Sequence, residues 1–446
     1  MTVTAEPTWY EDEALAFRQR VLAKMSGLSP RALADLAVQL DRDEAVFMTT
    51  QALAMYPGAN ILSPRVRSLL ASVVASRASE GHPGAKYQTG LLWAEEAEAM
   101  AAELICRIFG AQYAEVRPLS GSMANMAVFN SLTEPGDTIF SLSTPVGGHI
   151  SHAKVGAAGY RRLDIHNIPY DAHGWQIRLD ELREQVLAHP PKLIIVGASL
   201  ILFEYPLREI REIADEVGAL VLYDAAHVAG MIAGGVWQHP LKEGAHVMTA
   251  STYKSFGGPP GGIAVTNDAE IARGLDRAIF PGMTANYHTN RMAALAVGAA
   301  EMIEFGQAYA GASHRNALAL AAGFAAEGLT VAGQAQGATD GHMLALDVSE
   351  QGGGAPAAAA LEAANIICNF NLLPWDPPRL VRNPSGLRLA VHEITRWGMQ
   401  EAEMAQIAVL YADVLLKRRP AEDVRRDVVA LKAAFNEIQY CFPEDS

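Results

Sequence analysis

Two residues about thirty positions apart carry the most explicit chemistry in this chain. Lys254 lies in Thr249-Ala250-Ser251-Thr252-Tyr253-Lys254-Ser255-Phe256-Gly257-Gly258-Pro259-Pro260-Gly261-Gly262. The apolar run before it, Ala245 to Met248, reads as a buried strand, and the glycine–proline loop after it cannot stay helical. Asp224 closes a second apolar strand within Leu220-Val221-Leu222-Tyr223-Asp224-Ala225-Ala226-His227. An amine and a carboxylate at adjacent strand ends suit an aldehyde cofactor that needs an imine partner and a protonated pyridine nitrogen. Pyridoxal phosphate meets both needs, with Lys254 as the Schiff-base lysine and Asp224 as the partner of the ring nitrogen. Either residue alone would read as a surface group, so their neighbours decide between the readings.

Ser120-Gly121-Ser122 follows Glu115-Val116-Arg117-Pro118 and leads into Met123-Ala124-Asn125-Met126-Ala127-Val128, a helical pattern. Small residues at a helix N-terminus present free N–H groups, a cradle for the cofactor phosphate, although a plain serine N-cap has the same signature. Gly147-Gly148-His149 puts an imidazole on a tight glycine turn, where a flat ring could stack on the cofactor face or simply be a satisfied structural histidine. Ser79-Glu80-Gly81-His82-Pro83-Gly84-Ala85-Lys86-Tyr87 is a glycine–proline loop with one carboxylate, a candidate general acid or base beside a substrate hydroxyl. Ser385-Gly386-Leu387-Arg388-Leu389 buries an arginine in an apolar strand, where it needs either an ion-pair partner or an amino-acid carboxylate in bidentate contact.

Other chemistries are incomplete. His149 and His152 lack a carboxylate or cysteine cluster that would finish a metal site, and Arg396 stands where a zinc-protease motif starting at His392-Glu393 needs its second histidine. The sequence has no dinucleotide fingerprint, phosphate-binding GxxxxGK[ST] loop or GxSxG elbow.

These residues need a scaffold that brings strand ends together. From about residue 60 to 290, apolar runs alternate with helical patterns: Ala114–Arg117, Thr138–Leu142, Lys192–Gly197, Ala219–Tyr223, Ala245–Ala250 and Gly262–Thr266. Between two of them Leu207, Ile210, Ile213 and Val217 recur at helix spacing, the pattern of a crossover helix. Alternation of this kind predicts an α/β fold with a mostly parallel sheet between helices, whose ligands collect at the carboxyl ends of the strands. The expected division is a helical arm over 1–55, a large domain over 56–290, and a connecting helix with a smaller α+β domain over 291–446. Strands are expected there at Met343–Val348 and Leu387–Val391, with Gln351-Gly-Gly-Gly-Ala-Pro356 as a flexible break.

Composition sets the outer limits. At 446 residues, half of them hydrophobic and 19% charged, the chain reads as a soluble enzyme of more than one domain. A formal charge of −14 argues against nucleic acid or an anionic membrane as the main partner. Cys106, Cys368 and Cys441 form neither a disulfide framework nor a CxxC site, which predicts a reducing cytoplasm. Met1 to Glu13 lacks the apolar core of a secretory signal, and no uncharged apolar run approaches a membrane span.

Taken in order, Ser79–Tyr87, Pro118–Val128, Glu134-Pro-Gly-Asp137, Gly147–His152, Tyr223–Gly230, Thr249–Gly262, Ile279-Phe-Pro-Gly282 and Ser385–Gly398 resemble the serine hydroxymethyltransferase family of fold-type-I pyridoxal-phosphate enzymes. The resemblance covers roughly residues 57–415. It implies a seven-stranded-type sheet, Lys254, Glu80, His149 and Asp224 as catalytic residues, and His149 stacked on the cofactor ring. It further implies Ser120, Gly121 and Ser122 at the phosphate, Ser199 and His227 at the ring oxygen, and Thr252 and Gly282 among the cofactor contacts. Arg388 would grip the substrate carboxylate, with Glu80 and Tyr87 beside the substrate. The implied partners are a small amino acid and a second copy of the chain, in a homodimer that shares its active site.

The chain also departs from the family pattern. Gly58-Ala59-Asn60 replaces Ser-Glu-Asn, Ala78 and Gln88 replace tyrosines, Tyr253 replaces a histidine, Pro260 replaces an arginine, and Thr144 replaces a leucine that flanks folate. Aromatic and cationic groups are thus lost on the substrate and tetrahydrofolate side, while the cofactor residues are kept. The expected reaction is pyridoxal-phosphate-dependent cleavage or formation of the Cα–Cβ bond of a serine-type amino acid. Hydroxymethyl transfer and a folate-independent α-methylserine or threonine-type aldolase are its two forms. A fold-type-I aminotransferase would share the lysine and aspartate but not the Glu80 loop, and a silent pyridoxal-phosphate carrier is the third alternative.

Overall fold

The computed structural model describes residues 7–444, in two compact units that meet in sequence at Ala52 and Leu53. The first unit holds helices α1 (Asp12–Met25) and α2 (Pro30–Val46). Ser29 accepts from the Ala32 N–H at 3.2 Å and Pro30 takes the first turn, so α2 starts where capping chemistry dictates. Neither helix has a buried side chain, and Trp9, Phe17 and Val38 are exposed.

In the second unit, Leu53–Ala54 pairs in parallel with Ile366–Ile367, and the glycine–proline loop proves to be a small hairpin, Gly81–His82 against Ala85–Lys86. Helix α3 (Leu92–Phe109) follows. The main sheet has seven strands: β1 (Tyr113–Glu115), β2 (Thr138–Ser141), β3 (Asp164–Asn167), β4 (Leu193–Val196), β5 (Leu220–Asp224), β6 (Val247–Ser251) and β7 (Gly262–Thr266). Their spatial order is β1-β7-β6-β5-β4-β2-β3, and only β7 runs against the rest. Burial on both faces explains the continuous apolar runs: Ile194, Val196, Val221 and Tyr223 enter one core, while Leu193, Ile195 and Leu222 enter the opposite one. Strand β3 has no such run because it is the edge strand, and its polar residues reach solvent.

Helix α4 (Gly121–Leu132) packs on one face, and α5 (Leu207–Val217) is the crossover between β4 and β5. It buries Leu207, Ile210, Ile213 and Ala214 and ends at Gly218, whose φ of +70° suits glycine. A single helix, α6 (Asn290–Ala326), fills the alanine-rich stretch that follows. The second sheet has the order β8 (Thr330–Val331), β9 (Met343–Asp347), β11 (Gly386–Ala390), β10 (Asn369–Asn371), all antiparallel, over its own core. One expectation needs correction. The run Gln351 to Pro356 is no open break, because helix α7 (Gly354–Ala363) already starts at Gly354. A Cβ on that glycine would stand 2.7 Å from Phe370, so close packing, not flexibility, explains it.

Candidate active site

The parallel strands β2, β4, β5 and β6 all end on one side of the sheet, and their following loops carry the chemistry. Beyond β6, Lys254 is buried and its Nζ lies 3.0 Å from His227 Nε2, in the loop after β5. Burial pulls the Lys254 amine down to about 8, assisted by the Arg388 charge and opposed by that of Asp224. Burial, with the cations Lys254 and Arg388, likewise holds His227 well below its ordinary range, and so neutral. A neutral ring whose Nε2 accepts from the lysine carries its proton on Nδ1. That Nδ1 is buried without a hydrogen-bond partner among the described residues, a donor waiting for an acceptor.

Asp224 ends β5. Its Oδ1 accepts from the Ala226 N–H at 3.0 Å, and its Oδ2 accepts from Asn125 Nδ2 at 2.7 Å and lies 3.1 Å from His152 Nε2. Burial alone would raise its pKa, but the His152 contact, the two histidine charges and the Asn125 hydrogen bond hold it below the usual carboxylate range. It therefore remains an anion in a dry place, ready for a cationic partner. Asn125, on the buried face of α4, also accepts from Thr249 Oγ1 at 2.6 Å and lies 3.0 Å from Ser151 Oγ. Neither Asn125 nor His152 stands out in the sequence as a site residue; the signal is a lone amide on the apolar face of the helix behind the phosphate cradle.

Ser120 caps α4 by accepting from the Met123 N–H at 3.1 Å, so its hydroxyl is engaged, whereas Gly121 is buried and Ser122 exposed. A Cβ on Gly121 would stand 2.5 Å from Ser251 Oγ, which keeps that helix end open. The Thr252 hydroxyl donates to Pro259 O at 2.5 Å and so shapes its own loop. His149 follows Gly147, whose φ of +92° and contact with Leu200 exclude a side chain. Its Nδ1 accepts from the Ser151 N–H at 3.2 Å, and burial lowers its pKa to about 4.

Arg388 lies buried in β11. Nε donates to Asn369 Oδ1 at 3.1 Å and Nη1 to Ser199 O at 2.6 Å, and no carboxylate among the described residues pairs with it. Burial lowers it to about 10, with the Tyr56 phenol opposing the fall. Lys254, His227, His149, Ser199, Arg388, Tyr56 and Gly58 line one cavity of about 320 Å³. A buried amine with lowered affinity for protons, a permanent carboxylate and an open helix N-terminus are the donors that pyridoxal phosphate requires, so the site fits that cofactor.

Glu80, Tyr87 and Gly282 do not line this cavity. They gather in a second place: Tyr87 is 76% exposed with its ring 6.1 Å from Phe280, in the turn that contains Gly282. Gln88 Nε2 donates to Glu80 Oε2 at 2.8 Å. Beneath, Lys86 Nζ donates to Glu98 at 2.6 Å and to Gly81 O at 2.6 Å, which ties the hairpin to α3.

The family model for serine hydroxymethyltransferase matches residues 38–411. The chain belongs to the serine hydroxymethyltransferase family. Among its relatives are a serine hydroxymethyltransferase of Methanopyrus kandleri, 46% identical over 390 residues that make up 87% of this chain and 91% of that one. Another, of Archaeoglobus fulgidus, is 46% identical over 385 residues, 86% of this chain and 88% of that one. An alpha-methylserine aldolase of Ralstonia sp is 40% identical over 432 residues, 97% of this chain and 98% of that protein. Serine hydroxymethyltransferases are fold-type-I pyridoxal-phosphate enzymes, and the seven-stranded sheet is their architecture. Against that family background, the departures have definite neighbours. Gly58, Thr144 and Tyr253 line the Lys254 cavity. Gln88 grips Glu80, and Ala78 is exposed at the start of the same loop.

Proposed function

We propose that this enzyme cleaves and forms the Cα–Cβ bond of a small β-hydroxy-α-amino acid, with Lys254 carrying pyridoxal phosphate and Arg388 holding the substrate carboxylate. The observation that supports this most is Arg388 itself: a buried guanidinium that no acid among the described residues pairs with, in the same cavity as the Lys254 amine. Uncompensated buried charge is expensive, and a substrate carboxylate in bidentate contact removes that penalty. When bound, the cofactor supplies the electron sink for the pair released at Cα.

The protein groups divide the remaining work. Arg388 fixes the carboxylate, which orients the scissile bond. The Lys254 amine, partly neutral near pH 8, is a competent nucleophile, and His227 beside it takes or returns its proton. Asp224 stays ionised and holds a proton on the pyridine nitrogen, while Asn125 and His152 fix its direction. His149, which lines the same cavity, would cover the ring face. Glu80 accepts the β-hydroxyl proton as the aldehyde leaves.

Two copies share each site in this reading, which the exposed ring of Tyr87 in the Glu80 loop supports. The large domain (56–290) carries the cofactor and the smaller one (291–446) the carboxylate grip. With free Cys106, Cys368 and Cys441, a reducing cytoplasm is the proposed compartment. Among the described residues no helix is long and apolar enough to cross a membrane.

Cleavage without tetrahydrofolate is the form favoured here. The match to the alpha-methylserine aldolase runs through 97% of this chain, and Thr144 and Gln88 change the polarity of the site. The test is aldehyde release by the yellow holoenzyme from L-serine, α-methylserine and threonine, each with and without tetrahydrofolate. Folate-independent release is expected; strict folate dependence would return the chain to hydroxymethyl transfer.

A further inference from the structure

Tyr56 has no motif around it, yet it lines the Lys254 cavity. The backbone on both sides of it is pinned: Met55 N donates to Ile367 O at 2.8 Å, Met55 O accepts from Ala390 N at 2.8 Å, and Ala59 O lies 2.6 Å from His392 Nε2. Ala390 ends β11, the strand that carries Arg388, so the loop is fastened to the same strand as the guanidinium. The result is a phenol held over the cavity, with Arg388 Cζ 5.8 Å from the ring centroid. Arg388 spends Nε on Asn369 and Nη1 on Ser199, which leaves Nη2 for this side.

The ring fits only because residue 58 is glycine. A Cβ at Gly58 would stand 2.6 Å from the Tyr56 ring, well inside van der Waals contact. No positive φ constrains Gly58, so the requirement comes from space and not from the backbone. The obstructing atoms belong to a side chain, so an alanine would push the ring aside and leave the fold intact. Gly58 is one of the positions where this chain departs from the Ser-Glu-Asn pattern of its family. The small residue and the phenol therefore form one device.

We infer that Tyr56 is a specificity-determining residue: with Arg388 it makes a two-point site for the substrate carboxylate, and Gly58 is the space it requires. This rests on Arg388 being the carboxylate grip. The guanidinium holds the carboxylate from the strand side and the phenol hydroxyl donates from the solvent side. An aromatic wall there also bounds the room available around Cα.

The experiment uses the yellow holoenzyme and L-serine and α-methyl-L-serine as probes, with KM and kcat measured separately and retained cofactor absorbance as the folding check. Tyr56→Phe keeps the ring and removes one hydrogen bond to a charged group, so KM rises about tenfold while kcat changes less than about twofold. Gly58→Ala raises KM similarly in the native background and has no further effect in Tyr56→Ala, because it acts only through the ring. A Gly58→Ala effect that persists in Tyr56→Ala overturns the coupling. Unchanged KM in Tyr56→Phe, alongside a raised KM in Arg388→Lys, overturns the inference and spares the reading of Arg388. KM unmoved in both variants overturns both.

Discussion

Gln88 holds Glu80 from two sides: its amide nitrogen donates to Glu80 Oε2 at 2.8 Å, and its amide oxygen accepts from the Glu80 N–H at 2.8 Å. The two contacts fix the amide's orientation unambiguously, since a backbone N–H only donates. A tyrosine, the residue the family usually has here, has one oxygen in place of the amide's separate donor and acceptor atoms. The glutamate proposed to take the hydroxyl proton is thus aimed by Gln88.

Removing that donor takes away the contact that aims the Glu80 carboxylate. For Gln88→Leu, kcat for aldehyde release is therefore expected to fall between about tenfold and a hundredfold at neutral pH. Cofactor absorbance stays unchanged, since Gln88 does not line the Lys254 cavity. An intact kcat would remove Gln88 from the mechanism.

Lys254 makes a pH experiment decisive. A lysine near 10.5 is neutral in roughly one molecule in 3,000 at pH 7, whereas one lowered to about 8 is neutral in roughly a tenth. The rate at which the apoprotein takes up pyridoxal phosphate, trapped with borohydride, should rise with pH about a midpoint near 8. Burial is the main cause, and the Asp224 charge opposes it, so Asp224→Asn moves the midpoint to lower pH. A midpoint near 10.5 would mean that the amine is solvated.

Asn125 joins three elements and has the largest predicted stability effect near the cofactor. It donates to Asp224 at 2.7 Å and accepts from Thr249 at 2.6 Å, both within the buried core. Asn125→Leu keeps the volume, strands the Thr249 hydroxyl and leaves Asp224 Oδ2 with His152 alone. Each unsatisfied buried group costs roughly 1–3 kcal/mol, so thermal unfolding should show a loss of at least about 2 kcal/mol and a lower affinity for pyridoxal phosphate. Asn125→Asp, which keeps the acceptor but places an anion beside Asp224, should weaken cofactor binding further. A melting curve indistinguishable from the native one would show that water replaces the amide.

Much of this was legible in residues alone. Lys254 and Asp224 are readable because buried strands leave continuous apolar runs, and the chemistry follows where those runs stop. The edge strand Asp164–Asn167 was not readable, because an exposed edge needs no apolar pattern. Asn125 and His152 were hidden for a different reason: their work is to orient Asp224, and a hydrogen bond across 99 positions has no local signature. The separation of Glu80 from the Lys254 cavity was equally invisible, since order along the chain does not report which loops converge.

Lys86 and Glu98 provide the last test, of what supports the Glu80 hairpin. Their side chains are 1% and 7% exposed, and Lys86 Nζ lies 2.6 Å from Glu98 Oε2, 2.6 Å from Gly81 O and 3.0 Å from Tyr287 OH. Tyr287 also donates to Glu98, and Ser79 Oγ lies 3.0 Å from the same phenol, so the residue next to Glu80 belongs to the cluster. Breaking such a pair from one side leaves the other charge buried, at roughly 3–5 kcal/mol. Lys86→Met should therefore lower the denaturant midpoint strongly and reduce kcat, because the hairpin loses its tie to α3. Lys86→Met with Glu98→Leu removes both charges and should recover much of the stability, yet kcat should stay low. Tyr287 and Gly81 O still lack the ammonium, and the hairpin is still untethered. Recovery of stability and kcat together would show that Lys86 only neutralises Glu98 and does not position the catalytic loop.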